Sequence, residues 1–232
     1  MKSNLQKDQT ESQYSPDVWF SPRFVIYLLW SLRNKLGEVV ITSGKYKKER
    51  EAWAVAVALL GIIKMTKNLW WVQIPEEDPP DILAMTVAPN LNEGWNYANY
   101  RKVEVMGITK YSNETIVNEI LNKTKDKYYE KETCLLVHIK RDSKISDMRQ
   151  LADELKGKVY NLADVWVIGN TEPCTNRFVL FSIFPDVQVE NYNLDDEIAK
   201  LPPGDTLEME RAKGTQMKLV RGVFLRKFNP GR

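Results

Sequence analysis

Cysteine and histidine are scarce in this chain: Cys134, Cys174 and His138 are the only three among 232 residues. Two widely separated thiols argue against a disulfide scaffold and against a cysteine-rich zinc site, so a reducing, cytoplasmic setting is expected. A lone histidine with no partner spacing leaves no nucleophilic triad to assemble. Neither a glycine-rich phosphate loop nor a dinucleotide fingerprint is present. Long apolar runs are missing as well. The longest, Ala52 to Ile63, reads AWAVAVALLGII between charged flanks, short of the ~20 residues that a bilayer span needs, so it reads as a buried helix and no membrane partner is expected. Charge of one sign is also lacking: 33 Lys and Arg face 31 Asp and Glu, a net charge of +2. No global field then draws in a polyanion, and any such site must be local. The opening MKSNLQKDQTESQYSPD holds no apolar stretch that could serve as a secretory signal, and residues 1–20 read as a flexible leader.

What is present is enough to fold. Apolar residues make up 43% and charged residues 28%, close to globular averages. No linker composition divides residues 21–232, which read as one α/β domain. Ser21-Pro22 opens a first helix, with Val25, Leu28, Leu29 and Leu32 at helical spacing and Gly37 as its stop. A second helix runs from Lys45 to about Asn68, its charged first turns emerging from the core. Then the period changes to that of strands, at 69–76, 80–89 and 100–111, set apart by proline-rich or Asn/Gly-rich punctuation. Ser112 and Asn113 are cap candidates for a helix that ends near Tyr129. A strand at 134–141, a helix at 145–158, strands at 164–170 and 178–189, and a short helix stopped by Pro202-Pro203-Gly204 complete the reading.

Two segments have local character. Residues 211–232 carry Arg211, Lys213, Lys218, Arg221, Arg226, Lys227 and Arg232 with no acid among them, which reads either as a solvated basic strand or as a phosphate-contacting edge. The loop NLNEGWNYANY presents Trp95, Tyr97 and Tyr100, either as stacking groups for bases or as a packed hairpin loop.

The chemistry centres on acids. Pro80-Asp81 starts one strand, and Glu104 sits mid-strand in the next, 104 − 81 = 23 residues later. On the preceding helix Glu51, chosen over Glu49, lies 81 − 51 = 30 residues upstream. Each has an ordinary reading: Asp81 as a turn residue, Glu104 as the exposed member of an alternating edge strand. Period-two alternation puts Lys102, Glu104 and Met106 on one face and Val103, Val105 and Gly107 on the other.

Together, the order helix, three strands, helix, strand across 45–141 and the Asp81, Glu104 and Glu51 spacing resemble the core of the PD-(D/E)XK nuclease superfamily, the restriction-endonuclease-like fold. The resemblance implies a three-layer α/β/α core with a central mixed sheet, extended by extra strands from 142–232. It also implies a metal-dependent nuclease acting on DNA, in a phage, mobile-element or defence context. Hydrolysing a phosphodiester adds negative charge to an anionic phosphate, so Mg²⁺ or Mn²⁺ held by hard carboxylate oxygens is the expected cofactor. Asp81, Glu104 and the Val105 carbonyl would be ligands, with Glu51 completing the catalytic set; Trp95, Tyr97, Lys102 and Lys110 would meet nucleic acid. The family lysine two positions after the acid is here Met106, which can neither orient water nor offset charge. Lys102, Lys110, Lys47, Lys48 and Lys123 are candidates for a migrated cation. The rival reading is an inactive nuclease-fold protein that binds nucleic acid or a protein. An open mixed sheet makes a homodimer plausible, and His138 reads as a core or edge histidine or as a proton-transfer group.

Overall fold

In the computed structural model, which describes residues 18–75, 80–90, 95–109, 111, 114–125, 127–130, 132–140, 148–155, 158, 162–172, 175–183, 187–208 and 224–225, the first helix begins where the sequence places it. Ser21 caps α1 (Pro22–Leu36) by accepting the Phe24 amide, and Pro22 fills the first turn, where no intrahelical donor is needed. Gly37 closes it at φ 73, its N–H returning to the Arg33 carbonyl. A short α2 (Val39–Thr42) and a 3₁₀ turn (Gly44–Tyr46), neither expected from the sequence, lead into α3 (Lys47–Thr66). Residues 54–60 of α3 are buried on every side, as a helix apolar all round must be. Lys67 ends it in the left-handed region at φ 60.

The strands follow in chain order: β1 (Val18–Phe20), β2 (Trp70–Gln73), β3 (Ile82–Asn90), β4 (Trp95–Thr109), β5 (Thr133–Lys140), β6 (Asp164–Asn170), β7 (Arg177–Ser182), β8 (Gln188–Asn193), β9 (Thr206–Glu208) and β10 (Phe224–Leu225). They form one ten-stranded sheet in the order β8-β7-β6-β5-β4-β3-β2-β1-β9, with β10 alongside β4. Strands β2, β3 and β4 make an antiparallel meander, whereas β4, β5 and β6 are parallel. Parallel neighbours need crossovers, which α4 (Ile116–Thr124) and α5 (Met148–Leu155) supply. A last helix, α6 (Leu194–Lys200), is capped by Asn193.

Alternation along the strands divides two large cores, besides a small cluster around Trp19 and Met85. Ile82, Ala84, Val103, Cys134, Leu136, Trp166 and Ile168 pack with α1, α3 and α6 on one face. Ile108, Leu135, Val137, Ile139, Val165 and Val167 pack with α4 and α5 on the other. The result is a helix, sheet, helix sandwich of mixed α/β class. Among the described residues no helix is long and apolar enough to cross a membrane.

Several boundaries differ from expectation. Val18–Phe20, assigned to the leader, form β1, because Trp19 and Phe20 are buried and β2 and β9 flank the strand; residues 1–17 lie outside the described residues. The segment read as a loop from 90 to 100 is mostly strand, since Trp95 to Tyr100 continue the β3 ladder in register. Thr115, not Ser112 or Asn113, caps α4, and α4 stops at Thr124 rather than near Tyr129. The single strand expected at 178–189 is the antiparallel pair β7 and β8, with Pro185, which has no amide to donate to a ladder, between them in sequence. The basic tail lies outside the described residues except for β10.

Candidate functional site

The register of β3 on β4 creates the site. The last paired position is Ile82 with Val103, whereas β4 continues to Thr109 with β5 along its other edge. The Lys102 amide donates to the Glu132 carbonyl, so even-numbered positions of β4 hydrogen-bond toward β5 and odd-numbered ones toward β3. Val105 is the first odd position past the end of β3. The Asp81 carboxylate takes the place of the missing strand: its Oδ2 accepts the Val105 amide at 2.8 Å. Continuing the register by one residue sets position 81 beside position 104. The Val105 carbonyl, on the same edge as its amide, faces this notch too.

The first turns of α3 overhang the same end of the sheet. Lys47 places its Nζ 3.3 Å from Glu51 and 3.8 Å from Asp81. Both acids are mostly buried, at 12% and 11% side-chain exposure, whereas Lys47 is 58% exposed. Lys48 donates to the Pro75 carbonyl at 2.6 Å, and Arg50 to the carbonyls of Val40 and Ser43. From the end of β5, Lys140 reaches across Gly107, where a Cβ would lie 3.3 Å from its Nζ. Burial, reinforced by Arg50 and opposed by Glu51, holds the Lys140 ammonium below its ordinary pKa.

Beside the notch a cavity of about 260 Å³ opens between β4, the start of β5 and the loop after α4. Glu104 lines it with Lys102, Thr133 and the loop that carries Lys127, Tyr128, Tyr129 and Glu130. Lys102 is held by Glu130 at 2.6 Å. Burial, with Glu104 and Asp81 adding to it, pushes the Tyr129 phenol up to about 12, so both acids act on one hydroxyl that stays protonated.

The expected residues are therefore distributed as follows. Asp81 and Glu51 meet around Lys47. Glu104 flanks them but turns to the cavity. Among the described residues no three His, Cys, Asp or Glu side chains are grouped closely enough to hold a metal ion. Yet two buried carboxylates already share one cation, the Lys47 ammonium, and hard oxygen donors of this kind suit Mg²⁺ or Mn²⁺, ions that keep several waters of their own. The donor chemistry thus fits a divalent ion at the place Lys47 occupies.

Met106 packs against the second core, which accounts for an apolar residue at that position. His138 sits against the Trp53 ring, and burial with Lys140 beside it lowers its pKa to about 3, so it is neutral at physiological pH. Lys110 and the side chains of Trp95 and Tyr97 lie outside the described residues. Sequence reasoning missed Arg50, Lys140, Lys127, Tyr129, Glu130 and Thr133. Only Lys140 and Thr133 carried a signal, as the end residues of a strand parallel to β4. Comparison with protein-family models, with curated proteins and with solved structures finds no match to this chain.

Proposed function

We propose that this chain is a metal-dependent nuclease acting on DNA, built on a restriction-endonuclease-like core. The observation that carries the reading is the notch at the end of β3, where Asp81 replaces a ladder partner of Val105 and shares the Lys47 ammonium with Glu51. Topology supports it: one helix, a three-stranded antiparallel meander, a crossover helix and a parallel strand follow in the order that the resemblance implies.

In this reading the Val105 amide fixes the Asp81 carboxylate, and Glu51 offers a second oxygen donor once Lys47 swings outward. Its exposed, flexible stem permits that movement. The Val105 carbonyl supplies a further oxygen at the same edge, and Glu104 faces the reacting phosphate from the cavity side. Mg²⁺ or Mn²⁺ bound there would polarise the phosphate and activate water. Lys47, displaced but tethered, and Lys140 remain as nearby cations to offset charge gathering on phosphate oxygens.

A second reading has its own support: Met106 is a packing residue, and Lys47 neutralises the acids without a metal. Both features suit a nuclease fold that binds nucleic acid or a protein without cutting. Plasmid incubated with purified protein and Mg²⁺ or Mn²⁺ separates the two. Cleavage lost in an Asp81→Ala, Glu104→Ala double variant supports the nuclease; unchanged cleavage in that variant refutes the assignment, and intact plasmid with the wild type leaves the binding module.

A further inference from the structure

We infer that the cavity beside the notch receives one unpaired nucleobase, so that the preferred substrate is single-stranded or frayed DNA; this rests on the nuclease reading for the identity of the polymer. Position is the first argument. Glu104 lines the cavity and its chain neighbour Val105 donates to Asp81 in the notch, so a group seated in the cavity lies next to whatever phosphate the notch holds.

Size is the second. At about 260 Å³ the cavity is smaller than the roughly 300–1,000 Å³ pockets that take drug-sized ligands. A single pyrimidine or purine ring system is of that order, whereas a base pair is not. A base stacked inside duplex DNA cannot enter such a pocket unless it leaves the helix.

The lining is the third. Glu104 only accepts hydrogen bonds, and the buried Thr133 hydroxyl both gives and takes them. Base edges present both donors and acceptors, so a wall with both capacities suits them. At the lip, Tyr128 is 86% exposed, an aromatic face turned to solvent where a base can stack. Lys127 and Lys102 add positive charge to the cavity wall, where it would favour a polyanion. Lys102 is held in place by Glu130, so it is positioned before any ligand arrives.

The test uses the full chain in EDTA, so that binding is read without cleavage. A fluorescent short oligodeoxythymidine and a hairpin duplex of matching length are titrated by anisotropy. A 2-aminopurine within a single strand reports stacking. Tighter binding of the single strand, a Tyr128→Ala loss of about tenfold or more, and loss of the 2-aminopurine signal in that variant support the inference. Tyr111→Ala, at another exposed tyrosine (81%), is expected to change none of these.

Equal affinity for duplex and single strand, or Tyr128→Ala binding like wild type, overturns it. The two readings fail separately. Metal-dependent cleavage that ignores Tyr128→Ala keeps the nuclease and removes the base pocket. Tyr128-dependent binding of single strands without any cleavage keeps the pocket and removes the nuclease. Absence of both binding and cleavage removes both.

Discussion

Replacing Lys47 by alanine removes the ammonium that two mostly buried carboxylates share. At an effective dielectric constant near 20, charges at 3.3 and 3.8 Å attract by about 5 and about 4 kcal/mol. The lysine is 58% exposed, however, and pairs that solvent can reach contribute only about 0.2–1 kcal/mol each. A net loss of about 1 kcal/mol is therefore expected without metal, which lowers Tm by about 2–4 °C for a chain of this size. Divalent metal should reverse the sign. In the wild type an incoming ion must displace the ammonium; in Lys47→Ala nothing competes for Glu51 and Asp81. A tenfold gain in affinity adds about 1.4 kcal/mol at saturation, or about 3–6 °C beyond the wild-type response. Differential scanning fluorimetry across a MnCl₂ series reads both effects. Adding Glu51→Gln and Asp81→Asn to the variant should abolish the metal response. Equal metal-induced shifts in wild type and Lys47→Ala, or none in Lys47→Ala, would refute the idea that Lys47 holds the place of a metal.

Two further outcomes test the frame around the site. At Gly61 an added Cβ would lie 2.8 Å from both Leu180 Cδ2 and Tyr192 Cε1, and the Tyr192 ring is tethered by its hydroxyl to the Val57 carbonyl at 2.7 Å; Gly61→Ala should cost about 1–3 kcal/mol in urea unfolding, despite alanine's higher helix propensity. His138 binds its proton only near pH 3 when folded but near 6.5 when unfolded, so the unfolded state binds more protons between these values. Stability should fall as pH drops through that window, by up to about 1.4 kcal/mol per pH unit, and His138→Leu should remove that part of the slope in denaturant titrations at stepped pH.

Much of the architecture was readable because it is local. The capping serine, proline and glycine of α1 act within a few residues of themselves, and so does the β-branched run of β6, whose bounds at 164–170 agree with the structure. Errors fell where distant partners decide. Trp95 to Tyr100 look like loop sequence, with Asn, Gly and Tyr together, yet pairing with β3 extends β4 through them. Trp19 and Phe20 become strand because β2 and β9 flank them. Thr115 caps α4 from among several residues of equal capping ability nearby, a choice made by where the helix can dock its apolar stripe.

The candidate site divides along the same line. A resemblance of motif and element order pointed to Asp81, Glu104 and Glu51 and marked Met106 as a departure. Their relation depended on register. A difference of one residue in how β3 meets β4 decides whether Asp81 caps the Val105 amide or lies within the ladder, and the sequence holds no local trace of that offset. The cavity is likewise assembled from a strand and a loop joined only through folding.

Composition and periodicity thus determined by themselves that the chain is a mixed α/β protein with buried helices and alternating strands, since each of these is a property of neighbouring residues. Tertiary structure alone decided that Lys47 stands between Glu51 and Asp81 and that Glu104 turns to Tyr129. Side-chain direction at a strand end follows from pairing with residues far along the chain, and no local pattern encodes it.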